Sequence, residues 1–144
     1  MKLKKKIVLI DDKEEILIGL KILISREGFE VSTASGYDEA IKQMARTDFD
    51  LVLTDFELED NTGIDILREV KRRGPDCPVI LFSGSLNYAV EFEAKRMGAY
   101  AYLTKPVKLE TLLYTIRTAL HHKRVLQEVG TTECQSSRTT RWKC

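Results

Sequence analysis

Cysteine is scarce in this chain: Cys77, Cys134 and Cys144 are three among 144 residues, odd in number and without CxxC or Cys/His spacing. That pattern supports neither a disulfide framework nor a zinc site. Charge of one sign is also lacking, because 23 Lys and Arg against 22 Asp and Glu leave +1. No sequence-wide field is available to hold polyphosphate, so direct nucleic-acid binding is not expected. Long hydrophobic runs are missing too. The basic opening followed by Ile7-Val8-Leu9-Ile10 has the order of a signal peptide, but Asp11-Asp12 ends the apolar run after four residues. A secretory core needs roughly seven or more. No membrane segment is expected, and the chain reads as cytoplasmic. Neither GxGxxG nor GxxxxGK followed by Ser or Thr occurs, which removes the dinucleotide and nucleoside-triphosphate folds.

What is present suffices for one domain. With 43% hydrophobic and 31% charged residues, a chain of this size buries roughly two-thirds of its unfolded surface. Apolar runs of strand length at 7–10, 30–34, 50–54, 78–82 and 100–103 alternate with segments of helical period. The pattern predicts an α/β domain on a parallel sheet. Ile16, Leu20, Leu23 and Ile24 form the first helical stripe, and Leu109, Leu112, Leu113, Ile116, Ala119 and Leu120 the last. Gly28 and Gly98 fall where left-handed residues end helices, while Ser35, Thr62 and Ser85 are placed to begin three. Asp38 and Asp65 follow two of those caps by three residues and favour the positive helix end.

The first, third and fourth strands are continuous apolar runs and belong in the middle of the sheet. The second alternates and the fifth is short with two phenols, so these are the edges. The predicted order is 2-1-3-4-5, doubly wound, with a crevice beyond the carboxyl ends of strands 1 and 3. Asp11 and Asp12 follow strand 1 and Asp55 closes strand 3. Three like charges at one rim raise one another's pKa or recruit a cation, and an all-carboxylate set suits magnesium, with manganese as an alternative. Any single Asp there would be a turn former. Three together are not. Lys105, with Pro106 fixing the turn behind it, projects from the same rim, and Ser83 ends the strand between Asp55 and Lys105.

Val-Leu-Ile-Asp11-Asp12, Leu-Thr-Asp55-Phe with Gly63 eight residues on, Phe82-Ser83-Gly84 and Tyr102-Leu-Thr-Lys105-Pro106 resemble the receiver domain of bacterial two-component response regulators. The likeness runs from about residue 5 to residue 124. It implies a flavodoxin-like (βα)5 fold in which Asp55 accepts a phosphoryl group from the phosphohistidine of a sensor histidine kinase. It further implies magnesium held by Asp12, Asp55 and the backbone carbonyl of Glu57, with Asp11 acting through water. Lys105 and Ser83 would each meet a phosphoryl oxygen. Ser83 would then move toward the phosphoryl group and Tyr102 swing inward, reshaping the surface of the fourth helix, fifth strand and fifth helix for a downstream output domain or protein. Glu57 and Ser85 would tune the phosphoryl lifetime.

Departures exist. Glu59 stands where the family usually has proline, and Val107-Lys108 replaces the common aromatic and capping residue. His121 and His122, on the last helix, read as exposed surface residues. That helix is expected to continue to Val129, where it would serve a homodimer or lead into a further domain. The receiver is thus assigned to residues 1–125, and 126–144 to a helix extension and a polar flexible tail. Two other readings compete with this one. A magnesium-dependent phosphatase with an aspartyl nucleophile would place an Asp-x-Asp pair on one loop, which neither Asp11-Asp12-Lys13 nor Asp55-Phe56-Glu57 supplies. A pseudo-receiver that is never phosphorylated is disfavoured by the complete acidic set, Ser83 and Lys105.

Overall fold

The computed structural model describes residues 4–129. The expected polar tail after Gly130 lies outside the described residues. Five strands, β1 (Lys6–Ile10), β2 (Glu30–Ala34), β3 (Leu51–Asp55), β4 (Val79–Ser83) and β5 (Ala101–Thr104), alternate with five helices. The helices are α1 (Glu14–Ser25), α2 (Tyr37–Arg46), α3 (Gly63–Arg73), α4 (Tyr88–Arg96) and α5 (Leu109–Val129). The sheet is parallel throughout and ordered β2-β1-β3-β4-β5, as the burial pattern of the strands required.

Alternation within each strand divides the core in two. Ile7, Leu9, Leu51, Leu53, Ile80 and Phe82 face α1 and α5, where Ile24, Leu112 and Ile116 cover them. Val8, Ile10, Val52, Val79 and Leu81 face the other way, under Ile66, Leu67 and Val70 of α3, Ala40 of α2 and Ala94 of α4. β1, β3 and β4 are buried on both faces, which explains why their apolar runs are continuous.

The helix signals fared unequally. Gly28 and Gly98 take φ of 94° and 108°, the left-handed geometry expected of them. Thr62 caps α3 in a reciprocal box with Asp65. Ser35 and Ser85 are not caps. α2 begins after Gly36, and the Ser35 N–H donates instead to Glu39. α4 begins after Asn87, whose side chain accepts from the Val90 N–H at 3.1 Å. In both cases the chain runs on past the serine before it turns into the helix. α5 does reach Val129. His122, expected to be exposed, is half-buried with its ring 6.0 Å from that of Tyr100. Among the described residues, no helix is long and apolar enough to cross a membrane.

Candidate functional site

β1 and β3 are neighbours whose connections leave in opposite directions, so their carboxyl ends border an open crevice. Into it the strands deliver their last residues. Asp55 is the terminal residue of β3, and Asp11 extends β1 by one rung, its N–H donating to the Ala34 carbonyl at 3.2 Å. Both are almost wholly buried, at 2% and 0% exposure. Asp12 is partly exposed, and one carboxylate oxygen from each of the three lies within 4.8 Å of the others.

Among the described residues, one ammonium is paired with two of these acids. The Lys105 Nζ sits 3.2 Å from Asp55 Oδ2 and 3.4 Å from Asp11 Oδ2, at 5.6 Å from the centre of the Phe82 ring. The Lys105 N–H donates to the Ser83 carbonyl at 2.7 Å, and the Lys105–Pro106 peptide is cis. Backbone donors hold the acids in place: the Lys13 N–H reaches Asp11 Oδ1 at 2.9 Å, and the Glu57 N–H reaches Asp55 Oδ1 at 3.3 Å.

Burial pushes the Asp55 carboxyl above its usual range, and the Asp11 charge pushes it further than Lys105 and the Glu57 N–H can offset. For Lys105, burial works against the ammonium. The facing Asp11 and Asp55 nonetheless raise its pKa above the ordinary lysine value. One ammonium against three carboxylates leaves negative charge uncompensated. That donor set, all oxygen and open to solvent through Asp12, fits a hard divalent cation such as magnesium.

The remaining expected residues gather around this centre. Ser83 ends β4, buried, one rung beyond the Phe82 that pairs with Asp55. Its Oγ accepts from the Ser85 N–H at 3.2 Å, which puts Ser85 in the loop above. Glu57 lies opposite, its carboxylate bordering Gly84. Tyr102 lies beneath rather than at the rim. It is buried, edge-on to Phe56 with ring centres 6.4 Å apart.

Two placements have no signal in the sequence. Phe82, of the Phe82-Ser83-Gly84 motif, has its face set by alternation with Leu81, but the ammonium beside it comes from Lys105, in the turn just after β5. Asp60, whose carboxylate accepts from the Tyr37 N–H at 3.2 and 3.3 Å, carries no local signal. Gly63 marks a close approach: a Cβ there would lie 2.6 Å from Leu81 Cδ2 and 2.8 Å from the Asp55 carbonyl oxygen.

A doubly wound parallel sheet with an acid triad and one lysine at its switch point defines a flavodoxin-like protein built around an acidic site able to hold a metal ion. The chain belongs to the response regulator receiver domain family, whose model matches residues 7–117. The response regulator protein PilR of Pseudomonas aeruginosa is 36% identical over 119 residues, covering 81% of this chain and 26% of PilR. The chain thus spans about a quarter of the length of that relative, as it does of NtrC from Rhizobium meliloti, at 24%. A receiver domain crystal structure from Clostridium thermocellum aligns at TM-score 0.80 and 35% identity, over 84% of this chain and 98% of that one. A Burkholderia pseudomallei response regulator, described with a phosphorylated aspartic acid, a calcium ion and citrate, aligns at TM-score 0.75 and 26% identity, over 85% of this chain and 72% of that one.

Proposed function

We propose that this protein is the phosphoacceptor module of a two-component system, with Asp55 as the acceptor. The carrying observation is the buried Asp55 carboxylate at the end of β3, 3.2 Å from an ammonium and within 4.8 Å of two further carboxylates. An Asp55 oxygen attacks the phosphorus of a kinase phosphohistidine, the P–N bond breaks, and the leaving imidazole takes up a proton. The product is an acyl phosphate. Magnesium, held by Asp12, Asp55 and the Glu57 carbonyl with Asp11 beyond them, would supply neutralisation of the phosphoryl oxygens. Lys105 follows the transferring group as a point charge, exchanging its contact with Asp55 for one with a phosphoryl oxygen. Ser83, whose hydroxyl is buried at the next strand end, donates to another. Glu57 and Ser85, on the loops either side, govern access of attacking water. The phosphorylated aspartic acid and calcium ion described for the Burkholderia relative support this reading.

Phosphorylation adds nearly two negative charges and three strong acceptors. Ser83 and Tyr102 lie on adjacent strands leading away from Asp55, and α4 beyond them exposes Tyr88 and Phe92. That surface, with β5 and α5, is the one we assign to an output domain or protein, with a second copy as a further partner. Residues 1–125 form the receiver and 126–144 an extension from it, within a cytoplasmic regulator. The test is incubation with magnesium and acetyl phosphate, followed by intact mass. Wild type gains one labile phosphoryl group and Asp55→Asn gains none. Turnover of unrelated phosphate esters would point to a phosphatase, and the absence of any adduct to a pseudo-receiver.

A further inference from the structure

We propose that Asp60 is a positioning residue for the divalent-cation site, acting by latching the loop after Asp55 to the first turn of α2. The inference rests on the reading of the acidic site given above. Residues 56–62 form a closed turn. Glu57 and Thr62 pair as an antiparallel bridge, the Leu58 N–H donates to the Asn61 carbonyl at 3.1 Å, and the Gly63 N–H donates to the Phe56 carbonyl at 2.7 Å. The base of that turn carries the site, since the Glu57 N–H also holds Asp55 Oδ1. No proline occurs between Asp55 and Gly63 to fix a backbone angle in it.

Asn61 ties the returning limb of the turn to α3, its side-chain amide donating to Asp65 Oδ2 at 3.2 Å, and the tip at Asp60 is restrained by a contact distant in sequence. Both Asp60 carboxylate oxygens accept from the Tyr37 N–H, at 3.2 and 3.3 Å. α2 needs that acceptor, because its N-cap is Gly36 and offers no side chain. The absence of a side chain also makes the contact fit: a Cβ on Gly36 would stand 3.2 and 3.3 Å from the same two oxygens. The carboxylate further meets the positive end of the helix. Each element therefore supplies what the other lacks. The turn is short and internally bonded, so a displaced tip tilts its base. The Glu57 carbonyl and the Asp55 carboxylate then lose their common orientation toward a cation.

The test uses the full chain and magnesium chloride, with binding followed by backbone amide shifts and phosphorylation by acetyl phosphate measured separately at saturating magnesium. Asp60→Ala is expected to raise the magnesium Kd about fivefold, the population effect of losing one helix cap. Its phosphorylation rate at saturating magnesium stays within about twofold of wild type, because bound cation restores the loop. Asp60→Asn keeps an oxygen for the Tyr37 N–H and holds the Kd within about twofold, and Glu59→Gln, which removes a neighbouring charge but not the latch, does the same. A wild-type Kd for Asp60→Ala overturns the proposal. So does equal weakening in Asp60→Asn and Glu59→Gln, which would make the effect one of charge alone. Failure of wild type itself to respond to magnesium would instead sink the reading of the acidic site, and the latch's role with it.

Discussion

Replacing Asp55 by Asn should stabilise the metal-free protein, because burial and the charges around this carboxylate resolve in that direction. At an effective dielectric of about 20, the ammonium 3.2 Å from Asp55 attracts it by about 5 kcal/mol. Asp11, with an oxygen no farther than 4.8 Å, repels it by at least about 3.5 kcal/mol. Burial of the Asp55 charge is the leading cost, several kcal/mol, and together with Asp11 it outweighs the ammonium by about 2 kcal/mol. The Asn variant keeps an oxygen for the Glu57 N–H. In chelator at pH 7 its midpoint of thermal unfolding should therefore exceed that of wild type by about 6 °C. Magnesium should close or reverse the gap, since wild type binds it more tightly. The pH dependence carries the same sign. The Asp55 pKa is raised above 3.8 in the folded state, so between 3.8 and the raised value the folded protein holds more proton than the unfolded one. Wild-type stability declines as pH climbs through that window, and the Asn variant lacks this component. Calorimetry of both proteins in chelator and then in magnesium decides the matter. An Asn variant no more stable than wild type without metal would refute the charge balance.

Three further outcomes follow from the same geometry. Lys105→Met leaves the buried Asp11 and Asp55 without their cation and should cost about 3 kcal/mol in urea unfolding at pH 7, a loss that shrinks on acidification; an unchanged midpoint would contradict the pairing. Gly63→Ala drives a methyl against Leu81 and the Asp55 carbonyl, and overpacking should outweigh the gain in helix propensity, leaving about 1–2 kcal/mol of destabilisation. An alanine variant as stable as wild type would show that the loop yields. Asp65, held low first by the Thr62 N–H, contributes stability that is fully present above its unfolded value of 3.8 and is lost as pH falls through its lower folded value. Asp65→Asn should thus cost about 1 kcal/mol at pH 7 and nothing in strong acid, and a cost that persists there would point to packing instead.

Much of the site was legible because each part of it sits at the end of a strand whose burial the sequence declares. Asp11 follows Ile7-Val8-Leu9-Ile10, Asp55 ends Leu51-Val52-Leu53-Thr54, and Lys105 follows Tyr102-Leu103-Thr104, so strand order alone predicted their meeting. Helix starts were less legible. Ser35 and Ser85 have the chemistry of caps, yet the turns ahead of α2 and α4 run one or two residues longer than a local rule assumes, and Gly36 and Asn87 take the position. The error for His122 is of the same kind: helical period gives the face of α5, but whether that face meets Tyr100 depends on how far the neighbouring strand edge extends.

Periodicity and strand-end chemistry determined the class of the sheet, its order, and the carboxylates that border its crevice, because those features are written in spacing of a few residues. Only the folded chain decided that one ammonium bridges Asp55 and Asp11, that Tyr102 lies inside against Phe56, and that Asp60 completes a helix 23 residues before it. Those contacts join groups from elements whose relative placement is set by packing of the whole core, and no local run of sequence encodes such a distance.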